Sequence, residues 1–154
     1  MITAEPAQQS YELKLTRVRE VGESRPITSP EEAAGYWHEV IEQRSWFQPN
    51  REHVVTLLLD ARSHIMGHHL VSIGTVNECM AHPRDIFGPV LCGSAYAFIL
   101  MRNHPSGDPS PSQADISLTR RVKDGAALLL VELADHVIIG TTAKYFSFRE
   151  SGMI

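Results

Sequence analysis

Two six-residue runs, Val54-Val55-Thr56-Leu57-Leu58-Leu59 and Tyr96-Ala97-Phe98-Ile99-Leu100-Met101, are apolar almost without interruption. A strand with one wet face alternates apolar and polar side chains, so a run without alternation needs apolar cover on both faces. The chain is therefore predicted to build a sheet flanked by helices, an α/β architecture of the α+β type, with Val54–Leu59 as the central strand. The remaining segments fit this plan. Ser29-Pro30-Glu31-Glu32 carries a cap hydroxyl, a proline at the first helical position and acids in the first turn, which predicts a helix to about Gln43 with Trp37, Val40 and Ile41 inward. Ile65–Ile73 reads as a strand returning from the first run, with Gly67 at a bulge or close approach. A short helix is expected from Pro83, with Gly88-Pro89 as a possible kink and a continuation through Val90–Ala95. Ser112–Leu130 reads as a helix with Ile116, Thr119, Val122, Ala126 and Leu129 on its buried stripe, and strands follow at Val131–Ile139 and Tyr145–Phe148. Ahead of all this, Tyr11–Val18 alternates like a half-buried strand, whose edge could pair with a partner strand.

At 154 residues the chain has the length of one domain, large enough to bury a core without disulfides. We divide it into an N-terminal strand and loop, residues 1–27, and a single globular domain, residues 28–154. The 14 Lys+Arg against 18 Asp+Glu leave a net charge of −4, which argues against a grip on nucleic acid. The basic cluster Arg120-Arg121-Lys123 is read as a solvated helix face. Cys79 and Cys92 form no CxxC pair and are read as small apolar fillers; with no leader and no membrane-length apolar run, the expected setting is soluble and cytoplasmic. The unusual number is eight histidines, since imidazole is both a common metal ligand and a common general base.

The chemistry is expected where the strand ending at Met101 gives way to Arg102-Asn103-His104-Pro105-Ser106-Gly107-Asp108-Pro109-Ser110-Pro111 and then to a capped helix. His104 and Asp115 are zinc-type donors that the strand end and the first helical turn could aim at one spot. The alternative is that Ser112-Gln113-Ala114-Asp115 is a capping box and His104 a hydrogen-bonded loop residue.

The run Asn103–Ser112 followed by Asp115 closely resembles the RadC family of bacterial JAB/MPN domains, which carry the JAMM motif. So do Val71–Thr75, His82-Pro83-Arg84, Leu133–Gly140 and Tyr145–Arg149, so that residues 28 to 150 are covered. The resemblance implies a JAB/MPN-like (cytidine-deaminase-like) fold, a curved mixed sheet flanked by helices. It also implies a zinc metallopeptidase site of two His and one Asp, with a Glu that activates water and a Ser that assists, acting on amide or isopeptide bonds. By that resemblance His104 and Asp115 are metal ligands, Ser112 is the assisting serine and Glu52 the catalytic glutamate. Glu52 could equally be a solvated residue of the turn Asn50–His53. Longer RadC proteins carry an additional N-terminal helical hairpin domain, for which the residues before Ser29 leave no room.

One position departs from the pattern: Arg102 stands where the first metal-binding histidine would be. A guanidinium has five donors, no lone pair for a metal, and a charge it keeps at any working pH. Three outcomes are open. Arg102 supplies the missing positive charge, pairing with Asp115 or Glu52 in a metal-free pocket; or another histidine, from His136, His53, His64, His68 and His69, completes a metal site; or a two-ligand metal site remains as a weak hydrolase. The function expected is thus either a zinc-dependent hydrolase of the RadC type or an inactive JAB/MPN domain that binds a peptide or protein partner.

Overall fold

The structure, a computed structural model, describes residues 25–74, 80–141 and 144–154. The alternating segment Tyr11–Val18 lies outside them. The described elements are α1 (Pro30–Tyr36), which widens into a π-helical turn at Trp37–Ile41, then β1 (His53–Leu59), β2 (Ile65–Ile73), α2 (Pro83–Cys92), β3 (Ala97–Asn103), α3 (Gln113–Leu129), β4 (Glu132–Ile139) and β5 (Tyr145–Ser147). They form one mixed five-stranded sheet in the order β2-β1-β3-β4-β5, with β3–β4 the parallel pair and the other pairs antiparallel. The central strand is accordingly β3 and not β1. Both apolar runs are interior strands, which is what their lack of alternation requires; only the choice between them was not readable locally.

Side chains alternate along β3, so Ala97, Ile99 and Met101 join a core beneath α1 and its π-turn, with Trp37, Ile41 and Leu57. Phe98 and Leu100 face the other way, into a second core with Ile86 and Val90 of α2 and Leu118, Val122 and Ala126 of α3. Helices thus cover both faces. The returning strand β2 carries the expected irregularity beside Gly67, where Leu58 pairs with Gly67 and Leu59 with Ile65, leaving Met66 unmatched.

Four further expectations need correction. The helix α2 carries Gly88-Pro89 in its interior and continues past them, but it stops at Cys92 and does not reach Ala95. The buried stripe of α3 is Asp115, Leu118, Thr119, Val122 and Ala126, with Ile116 half-buried and Leu129 exposed. At its C-terminal end Leu128, Leu129 and Leu130 are exposed. Cys92 is an exposed free thiol, not a core filler. Finally, β3 does not end at Met101 but continues through Arg102 and Asn103, both buried.

That extension positions the site. Asn103 replaces ladder bonds with its side chain, accepting from the backbone N–H of His53 at 2.7 Å and donating to the carbonyl of Arg51 at 2.9 Å. It ties the end of β3 to the start of β1, and with it Arg102 to Glu52.

Candidate functional site at the end of β3

Two residues beyond Leu100, the strand period puts Arg102 on the α2–α3 side of the sheet, at the C-terminal end of the parallel pair. This is where open α/β sheets place their binding crevices. Asp115 meets it from the first turn of α3. Arg102 Nη1 donates to Asp115 Oδ1 at 2.6 Å, and Arg102 Nη2 donates to Glu52 Oε2. All three side chains are buried. Glu52 is therefore not a solvated turn residue but the second carboxylate of one ionic cluster.

The other oxygen of Asp115 is also engaged. Ser112, the N-cap of α3, donates to Asp115 Oδ2 from its backbone N–H at 2.8 Å and from Oγ at 2.6 Å, while the N–H of Asp115 donates to Ser112 Oγ at 3.1 Å. The capping box is real, and its acid is at the same time the carboxylate that Arg102 binds. His104 Nε2 lies 3.4 Å from the same Oδ2. Its Nδ1 donates to the carbonyl of Asp108 at 3.0 Å, so the ring can present a hydrogen to Asp115 only when protonated. The bond to Asp115 accordingly raises the His104 pKa against the opposing effect of burial. Burial would raise Asp115, but the bonds from His104 and Ser112 and the charge of Arg102 outweigh it and hold the carboxyl well below the usual range.

The loop carrying His104 is fixed by close backbone approaches. The His104 N–H donates to the carbonyl of Ile139, and that of Thr141 to the carbonyl of Gly107. Gly107 has φ +82, and a Cβ at Gly140 would meet the Gly107 carbonyl at 2.6 Å, so both positions need glycine. Over the ionic cluster opens a cleft of about 350 Å³, whose lining combines Met80, Ala81 and Leu118 with His82, Asp85 and Arg121.

The residues expected at the site from sequence, Glu52, Arg102, His104, Ser112 and Asp115, are thus brought together. Of the histidines that could have completed a metal site, His53, His64 and His68 lie elsewhere. His53 is packed beside Trp46 and Phe47 and donates to the carbonyl of Arg51; His68 meets the Tyr36 hydroxyl at 2.8 Å, and His64 lies beside Asp60. His136 lies beneath the cluster, stacked on Phe148, with Nδ1 on the hydroxyl of Thr119 at 2.7 Å. Burial pushes its pKa down to about 3, so the ring is neutral. Sequence reasoning took Thr119 for packing and His136 for a spare ligand. The usable signal was a histidine inside the apolar strand Val131–Ile139, since a buried imidazole needs a hydrogen-bond partner.

A sequence model described as the RadC-like JAB domain matches residues 27–153. The chain belongs to the RadC-like JAB domain family. Among its relatives are UPF0758 proteins of Desulfitobacterium hafniense strain DCB-2, 39% identical over all of this chain and 66% of the relative, and of Pelobacter propionicus, 41% identical over 83% of this chain and 53% of the relative. A third, from Geobacter sulfurreducens, is 37% identical over 85% of this chain and 55% of the relative. The chain spans between about half and two thirds of the length of these relatives.

The RadC-like resemblance implies zinc, and the donor set does not fit it. A catalytic zinc takes three protein ligands and a water. Here the third position holds a guanidinium bonded to both carboxylates, and among the described residues no three His, Cys, Asp or Glu side chains are grouped to hold a metal. Among the same residues no helix is long and apolar enough to cross a membrane.

Proposed function

We propose that this chain is a RadC-like JAB domain in which Arg102 has taken over the structural work of the metal ion, and that it binds a peptide segment of a protein partner in the cleft without cleaving it. The observation that carries this reading is the double pairing of Arg102 with Asp115 and Glu52. A zinc ion at this place would need lone pairs from Asp115 and from the residue at position 102. The first is committed to a cation, and the second has none to give. The positive charge that faces the two buried carboxylates comes from the chain itself.

With Arg102 in the metal's place, the groups that would serve a metal-bound water are engaged within the cluster. Glu52 accepts from Arg102, and the Ser112 hydroxyl donates to Asp115. The cleft above keeps a shape and a mixed lining suited to a short peptide: apolar contact at Met80, Ala81 and Leu118, with opposite charges at Asp85 and Arg121. A cytoplasmic setting, with Cys92 reduced, belongs to the same reading.

Metal analysis of protein purified without chelator tests it. The wild type is expected to carry well under about a tenth of an equivalent of zinc, and Arg102→His to take up close to one equivalent, because the substitution supplies the third donor. Near-stoichiometric zinc in the wild type, lost in His104→Ala, would overturn the proposal and restore the hydrolase.

A further inference from the structure

Beneath the ionic cluster, Arg102 Nε and His136 Nε2 are buried with no protein partner. They share a face of the sheet: Leu100 pairs with His136 across β3–β4, and Arg102 stands two residues beyond Leu100. Thr56 Oγ1, opposite Leu100 on β1, belongs to the same unsatisfied layer. Polar atoms shut away from water without partners are rare in folded proteins, and two of opposite need in one place point to something between them.

The need of each atom is fixed. Thr119 Oγ1 donates its single hydrogen to the backbone carbonyl of Asp115 at 2.7 Å. The 2.7 Å contact between Thr119 Oγ1 and His136 Nδ1 must then be donated by the ring, which leaves Nε2 a bare lone pair. Arg102 Nε is always a donor. A ligand that serves both has to accept from the guanidinium and donate to the imidazole. A metal cation cannot accept, and an ionised carboxylate cannot donate, whereas water does both.

We infer that a single internal water bridges Arg102 Nε–H to His136 Nε2, and that His136 is a positioning residue for the guanidinium. The hydrogen bonds then run in one direction along a chain, Arg102 to water, water to His136, His136 to Thr119 and Thr119 to the backbone carbonyl of Asp115, while the Asp115 carboxylate accepts directly from Arg102, so that both arms start at the guanidinium and end on Asp115. Bonds aligned in this way polarise one another. All three nitrogens of Arg102 are held, by Asp115, Glu52 and the water, so the floor of the cleft is rigid whatever the cleft binds.

Nitrogen NMR on the full chain at neutral pH tests this arrangement. His136 is expected to be protonated at Nδ1 and bare at Nε2, and the Arg102 Nε–H to exchange slowly. Thr119→Val removes the acceptor of the ring, so His136 should switch to the Nε2–H tautomer and the Arg102 Nε–H should exchange at least about tenfold faster, with Thr119→Ser restoring both. An Nε2–H tautomer or an imidazolium in the wild type overturns the inference, and this reading stands even if Thr119→Val does not fold. Unchanged Arg102 exchange in a folded Thr119→Val protein overturns it as well. In a crystal structure, a water within hydrogen-bonding distance of both nitrogens supports the bridge, and a dry gap or a metal ion there contradicts it.

Discussion

At position 102 the choice between an imidazole and a guanidinium decides what two buried carboxylates face. Asp115 is wholly buried and Glu52 nearly so, and each has one oxygen on Arg102. Removing one member of such a cluster leaves uncompensated charge in the interior, which costs about 3–5 kcal/mol. Arg102→Ala should therefore lower unfolding stability by that amount in urea titration, and a loss below about 1 kcal/mol would show that the cluster is wetter than its burial indicates. Much of this was legible, since the identities of Arg102, His104, Ser112 and Asp115 sit in one stretch of sequence. That Glu52 belongs with them was not, because its local pattern is that of a polar turn and only the pairing of β1 with β3 brings it to Arg102.

Acid tests the same residues. His136 falls from an ordinary value of 6.5 to about 3 on folding, chiefly through burial, so below pH 6.5 the unfolded chain binds a proton that the folded one refuses. Stability should therefore decline as pH falls from about 6.5 towards 3, with a slope approaching about 1.4 kcal/mol per pH unit from this group. Asp115, depressed below its ordinary 3.8, adds a loss at still lower pH. His104 works the other way: its raised pKa contributes stability that is full below 6.5 and disappears as pH rises through the folded value. Stability measured against pH for wild type and His136→Asn should show the shallower acid decline in the variant. Equal slopes would mean that the buried ring does not stay neutral.

Among the elements, α3 was the most legible because its start is written locally: Ser112 caps, and Asp115 three residues on closes the box. Ser112→Ala loses the acceptor for the Asp115 N–H and the donor to its carboxylate, and should cost about 1–2 kcal/mol in thermal or urea unfolding. The other end is poorly made. Leu130 closes the helix in the left-handed region, φ 56, with 92% of its surface exposed. Such a residue loses roughly 1–2 kcal/mol to sterics that glycine avoids. Leu130→Gly is predicted to raise stability by about 1 kcal/mol, and a decrease would mean that the exposed leucine packs on something in solution. The end of β3 was misread for a specific reason. Arg102 and Asn103 are polar and precede a proline-rich loop, so they look like loop; their burial depends on Glu52, Asp115 and the backbone at Arg51 and His53, all distant in sequence.

For the whole molecule, the two unalternating runs already demanded cover on both faces, and the sheet supplies it with α1 on one side and α2 and α3 on the other. Strand order was less readable, since β1 and β3 are equally apolar and only the parallel crossover through α3 makes β3 the middle strand. That crossover also explains why the site lies where it does: the end of β3, the first turn of α3 and the residue preceding β1 converge at one end of the interior strands. The proposed function rests on a guanidinium occupying this convergence in place of a metal. Crystals grown in the presence of zinc, with diffraction recorded at the zinc absorption edge, test it directly. No anomalous peak is expected at the site, and side-chain density for Arg102 should be continuous with Asp115 and Glu52. A peak about 2.0–2.2 Å from His104 Nε2 and an Asp115 oxygen, with Arg102 turned away, would contradict it.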